Sequence, residues 1–251
     1  MKIKTLLFVL LLSNLCMIQA QNDTIFFMKN GMIVYQKPVA EIDSILFYRP
    51  FINPNGSFTD PRDSNVYNTI LIGNQVWMAT NLAYLPAVSP PSLGSYTSPF
   101  YYVSNFWGSD TVKAKTMCNY GDYGVLYNWS AAVTACPPGW HLPTNQEWTT
   151  LTTYLGGTTI AGGKLKQTGF ALWNSPNTGA TNETGFNAIP GGMRDYNAST
   201  FYYTGNFGYY WSSTEYSSIT AKARNLNYNA SVCEENQHQK SYGFSVRCIM
   251  D

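Results

Sequence analysis

Charge is what this chain has least of: 12% of its 251 residues carry it, against 45% that are hydrophobic. The length suits one sizeable domain plus an appendage, with material for a core but few solvating groups. No stretch gathers basic residues into a stripe, which argues against nucleic acid as a partner. Histidine is scarcer still. His141 and His238 are the whole complement, and no Cys-x-x-Cys accompanies them, so a zinc-type centre has no ligand set. His141, between Trp140 and Leu142, reads as a satisfied structural histidine. Asp195, Glu215, Glu234 and Glu235 are the acids on offer to calcium, but no Asp-x-Asp-x-Asp-Gly string occurs. Nothing in the order of residues sets a serine beside either histidine, and no cysteine has a neighbour that would lower its thiol pKa. These absences leave no catalytic residue, no metal ligand and no cofactor to assign, and the chain reads as a non-enzyme. The uninterrupted apolar run near the N-terminus is too short to span a bilayer, so an integral membrane protein is not expected.

That run belongs to a leader. Lys2 and Lys4 precede Leu6 to Leu12, and Ile18-Gln19-Ala20 forms an acceptable cleavage site, so residues 1–20 read as a signal peptide. Leu15 stands before Cys16 where lipid-modified cysteines usually have a small residue, which favours cleavage after Ala20. The mature chain would carry 13 basic and 14 acidic side chains, a net charge of −1. It would be secreted or held on the outer cell surface.

Residues 21–50 read as a small β unit. Phe26 to Lys29 and Met32 to Tyr35 flank Asn30-Gly31, a strong hairpin signal, and Pro38 to Tyr48 would add a third strand. Three strands alone are marginal, so the unit serves as a spacer or docks surface assembly partners. Pro50, Pro54 and Pro61, with Asn53, Asn55 and Gly56, mark residues 51–65 as a linker. The main domain then spans residues 66–251. Within it, Asn68 to Ile72 and Gln75 to Met78 flank Gly73-Asn74 as a second hairpin. Residues 86–111 read as a long surface loop held by Phe100, Tyr101, Tyr102, Phe106 and Trp107, which would be costly to leave wet.

Val125 to Val133 reads as a helix with Leu126, Trp129 and Val133 on one face. Pro137, Pro138 and Gly139 then break the chain. Thr144 with Glu147 forms a capping box, Trp148, Leu151 and Leu155 follow at helical spacing, and Gly156-Gly157 stops the helix. Residues 161–194 show few regular patterns, the mark of a functional loop or of an undetected element. Near the end, Phe244, Val246 and Cys248 share one strand face, and Ser245, Arg247 and Ile249 the other.

Six motifs stand in the order of a known family. They are Ile72-Gly73-Asn74-Gln75-Val76-Trp77-Met78-Ala79-Thr80-Asn81-Leu82, Tyr123-Gly124-Val125-Leu126-Tyr127-Asn128-Trp129, Cys136-Pro137-Pro138-Gly139-Trp140-His141-Leu142-Pro143-Thr144 with Glu147-Trp148, Gly185-Phe186-Asn187-Ala188-Ile189-Pro190-Gly191-Gly192-Met193-Arg194, Trp211-Ser212-Ser213-Thr214-Glu215, and Gly243-Phe244-Ser245-Val246-Arg247-Cys248. Residues 66–251 thereby resemble the Fibrobacter succinogenes major paralogous domain, whose name states no activity. The helix from Leu142-Pro143-Thr144 to Glu147-Trp148 is similar to that of formylglycine-generating enzymes. This implies a C-type-lectin-like fold: an α+β domain with two helices, short antiparallel strands and long loops, here behind the small N-terminal β unit. That unit resembles segments found in exported Bacteroidetes proteins.

Cys118, Cys136, Cys233 and Cys248 remain after the leader. An even count in an exported chain implies two disulfides, with three connectivities open. The resemblance implies Cys136–Cys248, tying the helix start to the last strand, which would leave Cys118 with Cys233. The Glu-Pro-Asn and Trp-Asn-Asp signatures of calcium-dependent lectins are absent, so no calcium-bridged sugar site is implied. What is abundant is tyrosine, 19 residues, with aromatics at 16%. From Met193 to Tyr242 it mixes densely with Asn, Ser and Thr. The lectin-like fold presents this late region as its ligand face, and in some similar bacterial domains it is hypervariable. Rigid aromatic anchors between short polar groups suit recognition; tyrosine also fills β-sheets, and both uses stay open. The candidate ligand residues are Tyr196, Tyr202, Tyr203, Tyr209, Tyr210, Tyr216, Asn225, Asn227 and Tyr228. The resulting reading is an exported, non-catalytic binding or adhesion protein of the cell surface that takes a glycan or protein ligand. A structural subunit of a surface or fimbrial assembly is the alternative, and a formylglycine-generating-like enzyme the third.

Overall fold

The computed structural model describes residues 24–29, 32–39 and 55–251. The chain divides into two compact units, Met1–Phe51 and Ile52–Asp251. In the first, β1 (Thr24–Lys29) and β2 (Met32–Pro38) pair antiparallel with Lys29 opposite Met32. Pro38 closes β2 instead of opening a third strand. The leader and residues 40–48 of the expected third strand lie outside the described residues.

The second unit is mixed α+β. Its elements begin with β3 (Ser57–Thr59), β4 (Val66–Ile72), β5 (Gln75–Met78), β6 (Tyr101–Tyr102), α1 (Thr111–Lys115), α2 (Cys118–Tyr123) and β7 (Leu126–Tyr127). They continue with α3 (Trp129–Ala132), β8 (Trp140–His141), α4 (Asn145–Tyr154), α5 (Thr158–Leu165), β9 (Met193–Arg194) and β10 (Phe201–Tyr202). The chain ends with β11 (Phe207–Glu215), β12 (Thr220–Asn227), β13 (Cys233–Gln239) and β14 (Ile249–Met250). A five-stranded sheet runs β3-β4-β5-β14-β8, and a three-stranded meander runs β11-β12-β13. Five helices stand among the described residues where two were expected, since α1 and α2 are too short to leave a helical period in the sequence and glycines obscure that of α5.

Several local expectations hold, and the reasons are local. The Gly73-Asn74 hairpin pairs Ile72 with Gln75, and Gly73 takes φ +63°. The capping box is complete: Thr144 Oγ1 accepts from the Glu147 amide at 3.1 Å, and the Thr144 amide donates to Glu147 Oε2 at 2.7 Å. Trp148, Leu151 and Leu155 are buried, and Gly156 and Gly157 at φ near +100° end the helix.

Others give way to tertiary contacts. Of the helix expected over Val125–Val133, only α3 forms. Leu126 and Tyr127 instead pair with β6, and Asn128 caps the remaining turn by accepting from the Ala131 amide. The linker read over residues 51–65 supplies β3, paired Phe58 to Tyr67. Beyond it, buried Asp60 holds Arg62, whose Nη2 also reaches the Ala135 carbonyl at 2.8 Å. Pro61 there marks a turn, not a tether. Residues 161–194 begin inside α5. Gly162 and Gly163 hide that helix from the pattern, and they are there for space: a Cβ on either would sit within 2.3 Å of the Val232 or Gly179 carbonyl oxygen.

Two large buried clusters form most of the core, beside a small third one of Tyr102, Leu126 and Phe201. Met78, Leu82, Tyr127, Leu142, Trp211 and Phe244 belong to one; Trp77, Trp148, Leu151, Trp173, Phe186 and Tyr210 to the other. The last segment runs between them. Phe244, Val246 and Cys248 enter the first and Ile249 the second, while Ser245 and Arg247 are buried as well. Arg247 Nε donates to Asn81 Oδ1 at 2.8 Å, Nη1 to the Met78 and Phe186 carbonyls, and Nη2 to the Asn187 carbonyl. Lys166 is held the same way, its Nζ donating to the Thr178, Asn227 and Ala230 carbonyls at 2.9 Å. Buried cations thus satisfy the loop carbonyls that no ladder reaches.

Cys136 and Cys248 are bonded, as the resemblance implied. The second bridge is not formed. Cys118 opens α2 at the surface, whereas Cys233 opens β13 inside the second core cluster, and both are free thiols. Cross-linking residues 112 apart removes loop entropy worth about 4–5 kcal/mol in the chain-entropy model. The double variant Cys136→Ala/Cys248→Ala should lose about that much in urea unfolding. Non-reducing peptide mapping should return this one bridge, with the Cys233 thiol alkylated only after denaturation.

Candidate functional site

The nine candidate ligand residues part into three groups. Tyr209 and Tyr210 are neighbours on β11, so their rings leave opposite faces of the strand. Both faces are core: Tyr209 stacks on Phe244 at 4.9 Å, and the Tyr210 hydroxyl donates to the Ile189 carbonyl at 2.9 Å. Asn225 on β12 is buried beside His238. These three are corrections, because β11 and β12 are covered on both sides and alternation no longer separates inside from outside. Asn227 and Tyr228 are half-buried; the Asn227 carbonyl serves Lys166, and Tyr228 packs on the second cluster. Tyr216 is exposed in the β11–β12 connection with Lys222 over its ring. It lies at the end of β11 opposite the remaining three.

Those three, Tyr196, Tyr202 and Tyr203, come together through rings that sequence reasoning had not assigned. Tyr202 meets Tyr203 at 5.9 Å, Tyr203 meets Phe207 at 5.3 Å, and Phe207 stacks on Tyr209 at 5.4 Å. Tyr209 touches His238, His238 touches Tyr242, and Tyr242 packs on Tyr196 at 4.9 Å. Trp107, from the 86–111 loop, packs on Phe201 at 5.7 Å, outside this run of rings. The outer rings remain substantially wet: Trp107 57%, Tyr203 47%, Tyr202 44% and Tyr196 38% exposed. The inner rings fix their positions.

Tyr203 is held in the left-handed region at φ +65°, where a bulky side chain is a genuine outlier. Its carbonyl accepts from the Asn206 and Phe207 amides, and Gly192 lets the chain lie close: a Cβ there would stand 2.4 Å from the Tyr202 carbonyl oxygen. Backbone strain of this sort costs on the order of 1–3 kcal/mol and gathers at functional positions. The Gly191-Gly192-Met193-Arg194 motif was the sequence signal for this close approach.

Burial lowers the His238 pKa to about 4, so the ring chain carries no charge at neutral pH. At its far end Tyr196 lines a cavity of about 560 Å³ together with Tyr96 and Arg194. A second cavity of about 550 Å³, between α4 and β13, has Arg224 and Glu235 in its wall and no aromatic ring. There Arg224 Nη2 is 3.0 Å from Glu235 Oε2. His141 stands apart from both, its Nδ1 2.6 Å from Asp251 Oδ1 and its Nε2 2.9 Å from Glu147 Oε1, a structural histidine with both nitrogens engaged. Among the described residues, no three His, Cys, Asp or Glu side chains gather as a metal site, and no helix is long and apolar enough to cross a membrane.

Residues 70–250 match the sequence profile of the Fibrobacter succinogenes major domain. Neither the curated proteins nor the solved structures contain a match to the chain.

The two histidines predict opposite pH slopes. His238 has a folded pKa of about 4 against an ordinary value of 6.5, so the unfolded chain protonates first and stability falls as pH drops through that window. For His141, burial opposes the charged form, but hydrogen bonds to Asp251 and Glu147 outweigh it and raise the pKa. Its contribution is complete below 6.5 and lost as pH rises through the folded value. Chemical denaturation across this range should show a shallower acid-side loss for His238→Phe and a shallower decline as pH rises above 6.5 for His141→Gln.

Proposed function

We propose a binding role for this chain, which belongs to the Fibrobacter succinogenes major domain family, a description that names no activity. In this reading it is an exported, surface-displayed, non-catalytic protein. A C-type-lectin-like frame holds one end of the β11-β12-β13 meander outward to a glycan or protein ligand. One observation carries this: three partly exposed rings, Tyr196, Tyr202 and Tyr203, are braced by continuous ring contacts, with Tyr203 in a strained conformation. Aromatic side chains fixed in advance lose little entropy on binding and suit both sugar faces and protein surfaces. The leader-like N-terminus and the Cys136–Cys248 bridge favour an oxidising compartment outside the cytoplasm.

A formylglycine-generating-like activity would require a reactive cysteine pair. The two free cysteines speak against it: Cys118 is exposed, and burial in the second cluster pushes the Cys233 thiol up to about 12. The assembly reading retains one supporting observation, that β1 and β2 form a two-stranded sheet by themselves among the described residues. Such a sheet is marginal alone and gains from a partner. Size-exclusion chromatography with and without residues 21–50 separates the two readings: loss of a higher-order species on truncation would favour assembly.

On a glycan and protein array, Tyr202→Ala/Tyr203→Ala should weaken binding of the mature protein at least about tenfold, roughly 1.4 kcal/mol, with melting little changed. Tyr216→Ala should bind as the parent does. Equal binding by all three proteins would remove the ring face from consideration.

A further inference from the structure

β13 is the last strand of its sheet, and the bonds of the opposite edge fix which of its main-chain groups are free. On β11 the Phe207 and Tyr209 carbonyls accept from the Gly192 and Ser245 amides, and the Trp211 amide donates to the Ser245 carbonyl. Main-chain groups alternate sides along a strand, so Gly208 and Tyr210 are the residues that exchange bonds with Leu226 and Arg224 of β12. The alternate set on β12, Ala221, Ala223 and Asn225, therefore bonds His238, Asn236 and Glu234 of β13. Glu235 and Gln237 turn their amides and carbonyls outward. Both residues are exposed, and among the described residues no group bonds those four.

Sheet edges are commonly closed by proline, lysine, a bulge or a covering element. β13 reads Cys-Glu-Glu-Asn-Gln-His-Gln, and its ladder runs through seven pairs without a register shift. Cover reaches its two ends. At the start, α5 passes so near that a Cβ on Gly162 would stand 2.2 Å from the Val232 carbonyl oxygen. At the finish, the Gln239 carbonyl accepts from the Tyr242 amide, and Gln239 Oε1 accepts from the Tyr96 hydroxyl. Beside the first half of the strand lies the cavity of about 550 Å³, walled by residues 232–236 on one side and by Thr149, Thr152, Thr153 and Thr158 of α4 and α5 on the other. The edge is thus one side of a groove. Its two acids differ. Glu235 is answered by Lys222 Nζ at 2.8 Å and Arg224 Nη2 at 3.0 Å. Glu234 meets no cation among the described residues; Asn236 Nδ2 donates to it at 3.4 Å.

We propose that β13 takes an extended segment of a partner polypeptide as a fourth strand of the meander, with a lysine or arginine of that segment against Glu234. The outward amides and carbonyls of Glu235 and Gln237 pair with its main chain and set the register. Such pairing supplies affinity whatever the side chains are, while flanking groups supply selection. Here those groups are Glu234 and the threonine wall. This site is separate from the ring face and does not depend on it.

A random dodecapeptide library panned against the mature protein is the probe. Enriched peptides should be basic and rich in β-branched residues. N-methylation of every second residue should abolish their binding in one register and spare it in the other. Proline removes an N–H, and the Gln237 amide is one the ladder does not use, so Gln237→Pro should weaken these peptides at least about tenfold with melting little changed. Glu234→Lys should weaken them as well. Amide exchange followed by NMR gives a test without a variant: Glu235 and Gln237 should exchange fast in the free protein and slow down with peptide bound, while Asn236 is protected in both. An unenriched library, enriched peptides that are acidic, peptides indifferent to Gln237→Pro, or amides of Glu235 and Gln237 already protected in the free protein would each overturn the proposal. So would a concentration-dependent dimer abolished by Gln237→Pro, which would give the edge to a second copy. Peptides lost on Tyr202→Ala/Tyr203→Ala but not on Gln237→Pro would support the ring face and overturn this site.

Discussion

The buried guanidinium of Arg247 is the constraint on which the second unit depends. It lies between the two core clusters with no carboxylate beside it, and burial lowers its pKa to about 10. Its partners are three main-chain carbonyls and the Asn81 side chain, drawn from two separate stretches of chain. Removing a cation from water is expensive unless its donors are met, so those stretches have to converge on it. The flanking residues then have fixed destinations: Val246 and Cys248 in one cluster, Ile249 in the other, and Cys248 bonded to Cys136.

Lys166 and Arg194 extend the same device. A domain with this much irregular chain has many carbonyls outside any sheet or helix, and each must find a donor if it is buried. One cation can serve three of them. The arrangement suits a chain poor in charge, whose cations are spent inside on the main chain. It also explains how long loops present side chains at fixed places. The 86–111 loop is tied by Asn128 to Ser95 and Ser98 and by Arg194 to Pro91.

Much of the local structure was legible beforehand. The capping box at Thr144 and Glu147, the Gly73-Asn74 turn and the apolar face of α4 need only a few consecutive residues, and they formed where their chemistry required. The Cys136–Cys248 bridge came from likeness to a family, since spacing left three pairings open. Misread elements share a cause. Leu126 and Tyr127 had a helical period but were drawn into pairing with β6; Ser57 to Thr59 sat among turn residues yet found an open edge at β4; Gly162 and Gly163 weakened the pattern of α5 because the chain at Val232 passes too close for a side chain. In each case a distant segment outweighed a propensity worth less than a kcal/mol per residue.

The candidate site divides along the same line. Composition alone marked Met193 to Tyr242 as a tyrosine-rich region suited to contact. Which tyrosines face outward was decided only in three dimensions. Alternation along a strand sorts residues when one face meets water, but β11 is covered on both, so Tyr209 and Tyr210 are buried alike. Caps, turns and periods act over neighbouring residues and were therefore determined by the sequence alone. The exposure of a ring and the answering of a buried charge depend on chain a hundred residues away, and only the tertiary structure could decide them.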